Sequence, residues 1–119
     1  MDDTLLVVIR SAPYQGVRLR ESLDALLVGA AFGKPVVPLF MGQGLFALLP
    51  GQTPGAPGQK ATLPIIDMLE MYDIDTLYLP AADATARGLT EGDLVANTQL
   101  LDADAVQALF HEAGQVLTF

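Results

Sequence analysis

From Val36 to Gln52 the chain reads VVPLFMGQGLFALLPGQ, a strand-like apolar run that passes through Gly42 into a short segment with no polar face. Leu45, Phe46, Ala47, Leu48 and Leu49 are all apolar, so a helix there needs cover on more than one side. In a chain of 119 residues one core is the expectation, and part of that cover is expected from another protein. The reading is one domain over residues 1–119.

Apolar residues make up 51% and charged residues 17%, with a mean hydropathy of +0.40. Such a composition has to bury its excess. No apolar run approaches the roughly 20 residues that crossing a bilayer requires, because Gly, Pro, Asp or Arg interrupt each one. Met1-Asp2-Asp3 lacks the basic region of a secretory signal, so a cytoplasmic location without membrane contact is expected. Fourteen acidic residues against six basic ones leave a net charge of -8, and Arg18 with Arg20 is the only basic pair. Phosphate backbones are held by clustered Lys and Arg, so direct nucleic-acid binding is not expected. The sequence holds no cysteine, which excludes a disulfide, a Cys-ligated zinc, a thiol nucleophile and a persulfide on this chain.

Thr4 to Arg10 is β-branched and apolar on both faces, the pattern of a strand buried between two layers. Leu19, Leu23, Leu26, Leu27 and Ala30 recur at helical spacing, and the helix stops near Gly33. Val36 to Met41 is a second strand. The Pro- and Gly-rich stretch Pro50 to Gly58 reads as a surface loop, and 61–72 as a helix with Pro64 in its first turn. Thr76 to Leu79 is a third strand, Asp83 to Arg87 a short helix closed by Gly88, and Leu94 to Thr98 a fourth strand. Asp102 caps a helix that buries Val106, Leu109, Phe110 and Ala113, and Val116 to Phe119 is a final strand. This alternation predicts an α/β fold, with a parallel or mostly parallel sheet and helices on both faces.

Four constellations invite a chemical reading. Gly42, Gly44 and Ala47 fit the G-x-G-x-x-A dinucleotide fingerprint, but the helix after them is too short and too apolar for an open phosphate site, and a packing turn is the better reading. His111 lies with Asp104 and Gln107 on the solvated face of the last helix, away from Ser11 and Ser22. Ser11, Tyr14, Gly42 and Pro80 fall at the carboxyl ends of strands, where ligands of open α/β sheets gather, so a stand-alone small-molecule binding module stays open as an alternative. For Ser11 itself, satisfying turn amides is the simpler role. Asp73, Asp75, Asp83, Glu91 and Asp93 read as turn formers and caps, and no metal or cofactor is expected.

SAPYQG (Ser11 to Gly16), RESLDALL (Arg20 to Leu27), GLFALLPGQ (Gly44 to Gln52), MYDID (Met71 to Asp75), ARGL (Ala86 to Leu89) and VLTF (Val116 to Phe119) together resemble the DsrE/DsrF-like sulfur-relay proteins, most closely their TusC/DsrF branch. The resemblance implies a three-layer α/β/α sandwich on a five-stranded, mostly parallel sheet. It implies a heterohexamer with a cysteine-bearing D-type (TusD/DsrE-like) subunit and a B-type (TusB/DsrH-like) subunit. In that family the D-type cysteine, just after the third strand, carries a persulfide bound for the wobble uridine of tRNA or, in DsrF relatives, serves sulfur oxidation. Pro80 stands at about the cysteine's place here, so the catalytic role does not carry over and a non-enzymatic accessory subunit is implied. Tyr14, Phe46, Leu48 and Leu49 are the expected contact surface.

Overall fold

The computed structural model describes residues 3–12, 18–49, 69, 71–95 and 97–119. Tyr14, the loop from Pro50 to Gly58 and most of the helix expected over 61–72 lie outside the described residues; Leu69 and Met71 are helical. Five parallel strands form one sheet in the order β4-β3-β2-β1-β5: β1 Leu5–Ile9, β2 Val36–Phe40, β3 Leu77–Pro80, β4 Thr98–Leu101 and β5 Gln115–Thr118.

β1, flanked by β2 and β5, is buried throughout, as its two apolar faces require. Leu5, Val7 and Ile9 face a layer made by helix α1 (Arg18–Ala31), the 3-10 helix Gly42–Leu48 and helix α2 (Ala81–Ala86), where Leu19, Leu23, Leu26, Leu45, Leu48 and Ala84 complete one core. Leu6 and Val8 face the other way and join Leu39 under helix α3 (Ala103–Glu112). The architecture is the three-layer sandwich, and its sheet is parallel at every pairing.

Local chemistry sets the element ends. At the end of α1, Gly33 donates to Ala30 O (2.9 Å) and Lys34 to Gly29 O (3.1 Å), a Schellman cap whose turn residue has φ +76°, a conformation glycine adopts without a Cβ penalty. Gly88 and Leu89 repeat the arrangement against Thr85 and Ala84. Buried Ser22 returns its hydroxyl proton to Leu19 O (2.5 Å), which satisfies a polar group inside the core. Asp102 caps α3, its Oδ1 accepting from Ala105 N (2.8 Å). Asp102→Ala should therefore lower the unfolding free energy by about 1 kcal/mol in urea titration, and Asp102→Asn by much less, because asparagine caps almost as well.

Two expectations are corrected. The fourth strand occupies Thr98–Leu101 and not Leu94 to Thr98. Leu94 turns into the core and Val95 N bonds Leu48 O (2.8 Å), so this stretch pairs with the end of the 3-10 helix. Asn97, at φ +72°, then makes the turn that lets its carbonyl accept from Leu77 N (2.8 Å). Phe110 is 40% exposed and not interior. α3 rests on the sheet through Val106, Leu109 and Ala113, and Phe110 sits about 100° around the helix from Leu109. Among the described residues no helix is long and apolar enough to cross a membrane.

Candidate functional site

The carboxyl edge of the sheet brings together the ends of β1, β2 and β3. Met41 N bonds Ile9 O (2.9 Å), which ties the exit of β2 to that of β1, and Gly44 N bonds Met41 O (2.9 Å) as the 3-10 helix begins. A Cβ on Gly44 would stand 2.0 Å from Ile9 O and 2.8 Å from Ile9 C, so only glycine fits there. This supports the packing reading of the Gly42-x-Gly44 pair over the phosphate reading.

The Gly42 amide, which a pyrophosphate would need, is instead taken by protein. Asp83 Oδ2 accepts from it at 2.9 Å across 41 residues of chain. Asp83 lies in the first turn of α2, directly beyond buried Pro80, and its own carbonyl accepts from Arg87 Nη1 (3.1 Å). The Arg87 side chain closes over the same spot, 3.9 Å from where a Gly42 Cβ would be. The result is a linked patch of Gly42, Asp83 and Arg87, positioned by the third strand and the helix after it. Asp83→Ala should cost about 1–3 kcal/mol of stability in denaturant titration, because it strands a half-buried amide, while Asp83→Asn retains an acceptor and should cost less.

Among the described residues the edge carries little that could react. Ser11 is half-buried at the end of β1, and Pro80 offers no side-chain donor or acceptor. His111 lies exposed on α3, on the solvated face as expected. Among the described residues no group of three or more His, Asp or Glu is placed to hold a metal. Sequence reasoning treated Asp83 only as a turn or cap former and missed its bridge to Gly42; a carboxylate in the first turn after Pro80 was the one available signal.

The apolar run after Gly42 resolves into two kinds of position. Leu45, Ala47 and Leu48 are fully buried in this chain's own core, and Leu49 packs against it. Leu48 therefore presents no side chain to a partner. Phe46, 38% exposed, is the residue of this run that faces outward.

The sequence profile of the DsrE/DsrF-like family matches residues 3–119. The chain belongs to the DsrE/DsrF-like family. It is 38% identical over 118 residues to the TusC homolog of Pseudomonas aeruginosa, covering 99% of both chains. The TusC protein of Klebsiella pneumoniae is 38% identical over 113 residues, covering 94% of this chain and 95% of that protein. The intracellular sulfur oxidation protein DsrF of Allochromatium vinosum is 31% identical over 124 residues, covering 92% of this chain and 91% of its own. The crystal structure of the ychN protein from E. coli superposes over the whole of both chains with a TM-score of 0.81 at 21% identity, a likeness of fold. This DsrE/DsrF-like chain thus carries Pro80, Asp83 and Arg87 where its third strand delivers the carboxyl edge.

Proposed function

We propose that this chain is a non-catalytic subunit of a sulfur-relay assembly, supporting persulfide transfer on a cysteine-bearing relative toward 2-thiouridine at the tRNA wobble position. The observation that carries the reading is the absence of any thiol, combined with Pro80 at the carboxyl end of β3. A persulfide needs a cysteine sulfur, and serine or histidine cannot hold one. The similarity to TusC proteins at 31–38% identity supports the tRNA branch, and the similarity to DsrF at 31% makes sulfur oxidation the second reading.

In this role the chain contributes surface and exclusion of water. The Asp83–Gly42 bridge and the Gly44 packing hold the carboxyl edge rigid, which suits an edge that shapes a neighbour's pocket. Phe46, with Tyr14 and Leu49, is the proposed contact toward the cysteine-bearing D-type subunit, and a B-type subunit completes the assembly. Deleting the gene in the native host and measuring tRNA nucleosides by mass spectrometry tests the reading. Loss of 2-thiouridine, restored by the intact gene, is expected. Unchanged 2-thiouridine with impaired sulfur oxidation would favour the DsrF-type role, and sulfur transfer by the isolated chain would overturn the accessory reading altogether.

A further inference from the structure

Large apolar side chains are also exposed at the opposite end of the sheet. Phe32 is 86% exposed and Met71 81%, with Val28 at 56% and Tyr72 at 43%. Val28 and Phe32 stand one turn apart at the end of α1, just before β2. Met71 and Tyr72 precede β3, so all four lie at the amino ends of the strands. An open hollow of about 410 Å³ lies between the turn after α1 and the segment before β3, lined by Gly33, Lys34, Tyr72 and Asp73 among others; of the four apolar residues Tyr72 lines it. Taking about 200 Å² for a large side chain, the four present roughly 500 Å² of surface. That is at the upper end of what a monomer leaves bare, and more than half of the ~800 Å² each partner gives to a standard interface.

The charges around this patch select its occupant. Asp24 lies one turn before Val28, and Asp73 and Asp75 follow Tyr72, all three exposed. Among the described residues the cation beside the patch, Lys34, is paired with Asp3 at 3.8 Å. Arg18 and Arg20 are at the far end of α1, about 18 Å from Phe32 along the helix, beyond the reach of unscreened attraction in physiological salt. A second copy of this chain, itself at net charge -8, would bring the same acidic rim against this one. We infer that the surface of Val28, Phe32, Met71 and Tyr72 docks a different protein subunit, one with an apolar centre flanked by Lys and Arg. Resting on the relay reading, this makes the chain a bridge, with Phe46 at the carboxyl end facing one subunit and Phe32 at the amino end facing another. Electrostatic complementarity of this kind gives partner choice and salt dependence, while the buried aromatic gives residence time.

The test uses the full chain co-expressed with the two other DsrE/DsrF-like subunits of its host, carrying Phe32→Glu with Met71→Glu. Both positions are more than 80% exposed, so an unchanged circular-dichroism melt is expected. The double variant should copurify with one subunit and lose the other at least tenfold. In the wild-type complex, amide exchange should slow over residues 28–34 and 71–75, and 0.5 M NaCl should weaken the amino-end contact. Full assembly of the double variant, with no slowing of exchange in those segments, removes this surface and leaves the relay reading standing. A wild-type chain that assembles with neither subunit overturns both. Concentration-dependent dimerisation of the isolated wild-type chain, abolished by the double substitution, would assign the patch to a second copy and overturn the inference.

Discussion

Gly44→Ala is expected to lower the stability of the isolated chain by about 3 kcal/mol or more, read as a fall in melting temperature of about 10 °C or more. The added methyl would sit 2.0 Å from Ile9 O, a backbone atom at the carboxyl end of β1 that already accepts from Met41 N at 2.9 Å. A flexible side chain could move aside, whereas a carbonyl in a parallel ladder moves only if its strand moves. The comparison is Gly92→Ala, where the nearest atom is Thr90 Oγ1 at 3.9 Å and the change should stay within about 0.5 kcal/mol. If Gly44→Ala melts within two degrees of wild type, the close approach of the 3-10 helix to β1 is wrong.

The second large effect separates two neighbours in the apolar run. Leu48→Ala should destabilise the chain by about 2–5 kcal/mol, because the leucine is fully buried and its truncation leaves a cavity beneath the 3-10 helix. Phe46→Ala should cost only about 1 kcal/mol in the isolated chain, since more than a third of that residue is already in water. In the assembly the order reverses. Phe46→Ala should weaken binding of the partner subunit at the carboxyl edge by tenfold or more while lowering the melt of the free chain by only about 5 °C. Urea titration of each variant, followed by copurification, checks both halves. Equal losses of stability would remove the distinction between the core residue and the contact residue.

These two cases show where the chain was legible. β1 and α1 were readable because burial on two faces and burial on one stripe leave different periodicities, and Leu5 to Ile9 and Leu19 to Leu26 obey them without interruption. The run at Leu45 to Leu49 was readable as buried, but with every position apolar no periodicity could say which side chain points outward. The structure assigns most of the cover to this chain's own core. Leu94 and Val95 imitated a strand because they are apolar, and only the turn at Asn97 and the bond from Val95 to Leu48 show that the strand begins four residues after Leu94. The Asp83–Gly42 bridge spans 41 residues and leaves no local trace. Phe32 was equally silent, since exposure is a property of what the fold leaves uncovered.

The sheet order has a consequence for how the chain is made. β1 is synthesised early, yet one of its two neighbours is β5, more than a hundred residues later. Until residues 115–118 emerge from the ribosome, one flank of Leu-Leu-Val-Val-Ile stays unzipped, and closing so wide a loop is slow. A nascent polypeptide with that hydrophobic ribbon uncovered is prone to cluster with its siblings, so chaperone capture during translation should matter more for this protein than its small size suggests.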